Sequence, residues 1–269
     1  NSEGYNVKIL PVVNQSTIEE GLKHVNNDAC YPSIIVVGQL LQALKSGKYD
    51  LDNTSVIMFQ TGGGCRASNY IAFIRKALKD AGMEHIPVIS LNTMRLEKHQ
   101  QFRLTRRLLH KALQAIVYGD LFMRVLYATR PYEAVKGSTD TLYSKWSHKC
   151  KSAVSSGRWA DFNKNIEGIV HEFDNIPLLR IKKPKVGIVG EILVKYHPAA
   201  NNNLVRFIES EGCEAVVPDL AGFLLYCLYN GIARFRHGTV NAAVCMVRKA
   251  AISMLELYRR HLVQCLQKS

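Results

Sequence analysis

The feature that most constrains this chain is a run of ten residues, Gln60-Thr61-Gly62-Gly63-Gly64-Cys65-Arg66-Ala67-Ser68-Asn69, which joins a short apolar stretch to an amphipathic one. Residues 55–59 have the length and partly β-branched composition of a buried strand, and Ala67, Tyr70, Ile71, Ile74 and Leu78 then recur at helical spacing until Gly82. A second apolar run at 87–91 completes a βαβ pattern, which demands a parallel pair of strands. Cys65 is therefore predicted at a strand-to-helix turn. The three glycines there give the backbone unusual freedom, and amides at a helix start favour an anion or a thiolate.

Upstream, residues 7–13 read as a strand, and Ser16 followed by Glu19 reads as a capping box opening a helix to about residue 26. The segment Asn27-Asp28-Ala29-Cys30-Tyr31-Pro32 is a turn whose proline suits the start of the next helix, which ends at Gly47. Ile34, Ile35, Val36 and Val37 alone would pass for a strand, but the pattern continues too far for one. Downstream, 97–126 and 139–173 read as helical and 177–184 as a linker. A second βαβ pattern follows, with strands at 186–190 and 214–217 around a helix at 201–211. Apolar residues 220–229 and a long helix over 240–267 close the chain. These readings divide it into a first α/β domain (1–126), a helical connector (127–180) and a partial second α/β domain (181–269). The opening at Asn1 and the scarcity of strands in the last part suggest a piece of a larger protein whose sheet is completed beyond Ser269.

With 269 residues, 47% of them hydrophobic, the chain can fill substantial cores. It shows no apolar run of the roughly 18 residues a membrane span requires. Seven scattered cysteines, an odd number, point to a reducing, cytoplasmic setting rather than a disulfide framework. The formal charge of +13 suits nucleic acid, an anionic cofactor such as coenzyme A, or an acidic partner, and does not choose among them.

Three chemistries are open to the glycine-rich turn: it can cradle a phosphate, hold a metal or cluster through Cys65, or present a nucleophile; a plain tight turn is the fourth reading. No Gly-Lys-Ser/Thr follows the glycines and their spacing is not G-x-G-x-x-G, which excludes both standard phosphate loops. Cys30 occupies an equivalent place before a second helix, so the two thiols are expected to face the same end of one α/β unit. Zinc would need two further ligands, for which His24 and His85 are the candidates, and an iron–sulfur cluster needs three or four thiolates. Cys227 lies in an apolar run and reads as core before ligand. Cys150, Cys213, Cys245 and Cys265 read as small hydrophobes. Glu191 and His197 flank the turn after residue 190, and the arginines between 95 and 107 read as a solvated helix face rather than a nucleic-acid site, lacking interleaved aromatics.

Taken together, Asn27-Asp28-Ala29-Cys30-Tyr31-Pro32, the Gly62-Gly63-Gly64-Cys65-Arg66-Ala67-Ser68-Asn69-Tyr70 run, Arg130-Pro131-Tyr132-Glu133, Val186-Gly187-Ile188-Val189-Gly190-Glu191, His197-Pro198 and Asn201-Asn202-Asn203-Leu204 resemble the 2-hydroxyacyl-CoA dehydratase-related region of large CoA-enzyme activase proteins. This region belongs to the 2-hydroxyglutaryl-CoA dehydratase and benzoyl-CoA reductase superfamily. The resemblance implies an α/β fold of two flavodoxin-like or Rossmann-like parallel-sheet units, here with the second truncated, and a 4Fe-4S cluster between them.

Cys30 and Cys65 match the two ligand positions of the first domain, beside Gly62, Gly63 and Gly64. The third ligand is expected in a motif that has no match before Ser269, with Cys227 the sole in-chain candidate for the place. By the same resemblance, an ATP-dependent activase module, in the same polypeptide, injects one electron through the cluster, so that a CoA thioester becomes a ketyl radical able to lose its hydroxyl. The alternative expectation is a non-catalytic anion-binding or subunit-interaction module of such a protein.

Overall fold

A computed structural model describes residues 2–10, 13–26, 28–60, 69–92, 105–236 and 241–268. The chain forms two compact units, the first from residues 3–104 with 191–203 and the second from 105–190 with 204–269.

In the first unit, numbering elements along the chain, α1 (Gln15–Leu22) packs on α2 (Tyr31–Lys45), β1 (Val56–Gln60) pairs in parallel with β2 (Val88–Asn92), and α3 (Tyr70–Asp80) and α7 (Ile192–Tyr196) complete it. The capping residue of α1 is Asn14, whose side chain accepts from Thr17 N, rather than Ser16. Ile34 to Val37 are helical and buried within α2, which resolves the strand-or-helix ambiguity in favour of length. Ile71, Ile74, Ala77 and Leu78 of α3 meet Val37, Leu41 and Leu44 of α2 and Val56 and Val88 of the strands in one apolar core.

Helix α1 and α2 approach so closely that a Cβ on Gly38 would lie 1.9 Å from the Thr17 carbonyl oxygen. At the flank of this crossing, Glu20 is 8% exposed and receives Lys23 Nζ at 2.8 Å and Lys45 Nζ. The ammonium groups of Lys23 first and then Lys45 hold the Glu20 carboxyl down at about 2. A depressed acid stabilises the fold above its unfolded value near 4.5 and ceases to as pH falls toward 2. Urea unfolding followed by hydrogen exchange of the α2 amides should therefore show the first unit weakening between those limits. Glu20→Gln should flatten that dependence and lower stability at neutral pH by about 1 kcal/mol, because both lysines are open to screening solvent. An unchanged slope in Glu20→Gln would count against it.

The second unit is helical at heart. Helices α4 (Arg106–Thr129), α5 (Ser138–Ser156), α6 (Trp159–Asp174), α9 (Leu220–Arg236) and α10 (Ala242–Leu266) surround a core centred on Val117, Leu121, Phe162, Ile166 and Ile169. Two polar side chains inside it are paired: Asn165 donates to the Tyr118 hydroxyl, which donates to the Phe162 carbonyl. Asp120, on α4, is 5% exposed and accepts from the backbone N–H groups of Leu220 and Ala221 at 2.7 and 2.9 Å, so one helix caps the start of another. Beside this core, β3 (Lys185–Gly187) and β4 (Glu214–Val216) form a parallel pair, with α8 (Leu204–Ser210) packed on β4.

These observations correct the expected fold class. Among the described residues the chain is 65% helical with two separate two-stranded parallel sheets, not a pair of flavodoxin-like or Rossmann-like units. Both βαβ patterns form their parallel pair, but among the described residues neither sheet grows beyond two strands. Among the described residues of 7–13 there is no strand, and Ile9 is 95% exposed. In the second unit all three residues of β3 are exposed, while the long apolar patterns of α4, α6, α9 and α10 bury against one another. These helices, including the segment expected as a connector, are themselves the core.

Candidate functional site

Cys30 is the N-cap residue of α2, in extended backbone (φ −67°, ψ 139°), with Pro32 in the first turn. Its carbonyl accepts from Ser33 N at 2.9 Å and Ser33 Oγ at 2.7 Å, so the backbone at the helix start is held on both sides of the hydroxyl. The turn before it is tied by Ala29 N to Asn26 O and Asp28 N to Asn26 Oδ1. The thiol is half-buried and lies 3.5 Å from the hydroxyl of Tyr70, the first residue of α3. Tyr70 itself is 5% exposed. Thus the starts of α2 and α3 meet through a sulfur and a phenol.

Gly62, Gly63, Gly64 and Cys65, the other residues expected at the site, lie outside the described residues. Tyr70 follows Cys65 by five positions, so the chain that carries Cys65 enters α3 at the residue touching Cys30. In the sequence Tyr70 reads as one more apolar position on a helix face, with no role for its hydroxyl in a site. The available signal was its place: a tyrosine opening a helix, one turn past a glycine-cysteine run.

The remaining candidates separate from this cluster. His24 has its ring nitrogens 3.8 Å from Glu20 and 3.6 Å from Asp80, an ion-pair environment, and His85 is exposed. Glu191 caps α7 by accepting from Val194 N, and His197 Nδ1 accepts from Ala200 N. Cys227, expected in a core, is exposed on α9 in the second unit. Burial pushes the Cys150 thiol up to about 12, which leaves it an inert hydrophobe. Arg106 and Arg107 are exposed at the start of α4, as a solvated face requires.

Among the described residues no group of three or more His, Cys, Asp or Glu is placed to hold a metal ion, and no helix is long and apolar enough to cross a membrane. The donor set there is one thiol with one hydroxyl against it. That suits one position of a thiolate-ligated cluster: a soft sulfur at a helix start, accessible, and next to a group able to donate to it. The Arg130-Pro131-Tyr132-Glu133 motif is structural. Arg130 binds Glu209 and Asp140, Tyr132 donates to Glu214 at 2.8 Å, and Glu133 accepts from Gly137 N and Thr139 N at the start of α5. No known protein family, curated protein or solved structure matches this chain.

Proposed function

We propose that this chain is an iron–sulfur component related to the 2-hydroxyacyl-CoA dehydratases, in which the thiolates of Cys30 and Cys65 are two ligands of a 4Fe-4S cluster. The observation that carries the reading is the Cys30 sulfur lying 3.5 Å from Tyr70, because it draws two helix starts together, the second of them continuous with the Cys65 segment. When bound, the cluster supplies one-electron transfer, received from an ATP-dependent activase module and used on a CoA thioester or another small substrate. The protein's own part is to present thiolates. Cys30 stands at the start of α2, and the bonds from Ser33 fix the backbone that carries it. The glycines at 62–64 carry no side chains to obstruct an approach to Cys65. Two thiolates leave such a cluster short of a ligand, so the cluster requires a third ligand besides Cys30 and Cys65.

Anaerobic incubation of the complete polypeptide with iron and sulfide tests this. Wild type should acquire broad visible absorption and about four irons per chain. Cys30→Ser and Cys65→Ser should each lose most of that colour while keeping the far-ultraviolet circular dichroism of the wild type. A wild type that stays colourless would reject the cluster, and the non-catalytic binding module would then be the better account.

A further inference from the structure

We infer that Tyr70 is a positioning residue for the Cys30 ligand, holding its sulfur by a hydrogen bond and tuning the charge on it. The inference rests on the cluster reading above, and concerns a residue that reading does not need. Three observations support it. The Tyr70 oxygen is 3.5 Å from the Cys30 sulfur, within range for an O–H···S bond. The ring is 5% exposed at the first position of α3, and that helix is locked to α2, with Val37, Leu40 and Leu41 facing Ile74, Ala77 and Leu78. The phenol therefore cannot swing away without parting two packed helices. Finally, a thiolate ligand has no proton to give, so in the ligated state the only possible direction is donation from the tyrosine hydroxyl to sulfur.

Such a bond has two consequences. It selects one orientation of the Cys30 side chain before any iron arrives, and groups that orient metal ligands in this way strengthen metal binding by about 10–100-fold. It also withdraws electron density from the sulfur, which favours the reduced cluster and raises its reduction potential. A tyrosine that merely filled space would do neither.

The test is Tyr70→Phe in the complete polypeptide, reconstituted anaerobically beside wild type. Phenylalanine keeps the ring and deletes the donor. The variant should form a cluster, since both cysteines remain, but release its iron to a chelator at least about tenfold faster and titrate at a more negative potential. Fluorotyrosine introduced at position 70 alone, a stronger donor of the same shape, should move the potential the opposite way, and it serves as the decisive comparison if Tyr70→Phe fails to fold. If wild type forms a cluster while Tyr70→Phe and the fluorotyrosine protein both match its potential and iron release, the role of Tyr70 is refuted and the cluster stands. A wild type that forms no cluster removes the reading and this inference together.

Discussion

Gly38→Ala should weaken the first unit by about 3 kcal/mol, even though the same change in an open helix stabilises by about 0.5–1 kcal/mol. At Gly38 the new Cβ would fall 1.9 Å from the carbonyl oxygen of Thr17 and 2.8 Å from the amide nitrogen of Gly21. The crossing is reciprocal, since a Cβ on Gly21 would lie 2.0 Å from the carbonyl oxygen of Ile34. Both obstacles are backbone atoms, which no rotamer change can clear. Relief requires α1 and α2 to separate, which loosens Val25, Ile34, Val37 and Leu41 together. Gly119→Ala on α4 is the control, because nothing lies within 4 Å of its added Cβ and it should be neutral to stabilising. Hydrogen exchange of α2 amides reads the first unit separately. Because Cys30 caps α2, the variant should also weaken iron retention if the cluster reading holds. A Gly38→Ala protein as stable as the Gly119→Ala protein would mean the two helices do not cross at these glycines.

That crossing illustrates which parts of the structure are legible in the residues. Strands β1 and β2 are visible because Ser55-Val56-Ile57-Met58-Phe59 and Pro87-Val88-Ile89-Ser90-Leu91 are short, β-branched and bounded by turn residues. Helix α2 is visible because Pro32 and Gly47 bracket a pattern longer than a strand. The number of strands in each sheet is not, since it depends on which apolar faces find each other: Val186 pairs with Ala215 in the expected parallel strands, yet the burial that holds the second unit together lies on Val117, Phe162, Ile166 and Leu255. Pairings remote in sequence are equally hidden. The place of Tyr70 after the glycine-cysteine run hints at a site but not at its bond to a thiol 40 residues away, and nothing near Arg130 announces Glu209. The cysteine-and-glycine run that dominates the sequence falls outside the described residues, so what supports its role is the neighbour it leads to.

Arg130→Met should produce the larger effect in the second unit, a loss of about 3–5 kcal/mol. Its guanidinium is 8% exposed and clamps Glu209 with two bonds, Nε to Oε2 at 2.8 Å and Nη2 to Oε1 at 2.7 Å, while Nη1 reaches Asp140 at 3.1 Å. Glu209 is itself only 10% exposed, so removing the arginine strands a carboxylate that has left water, with the exposed Arg206 at 3.9 Å as a weak remaining counter-charge. The stranding, rather than the attraction, sets the size of the loss. Two comparisons separate these contributions. Arg130→Lys keeps the charge but not the planar fork and should recover only part of the stability. Arg130→Met combined with Glu209→Leu removes both charges and should be more stable than Arg130→Met alone, which pure loss of an attractive pair would not produce. Lys145→Met, at an exposed pair with Glu172, sets the baseline at about 0–1 kcal/mol. Both tryptophans, Trp146 and Trp159, belong to this unit, so their fluorescence during urea unfolding reports it without interference from the first. If Arg130→Met costs no more than Lys145→Met, Arg130 does not sit between Glu209 and Asp140 as a buried clamp, and the anchoring of α4 to α8 must come from elsewhere.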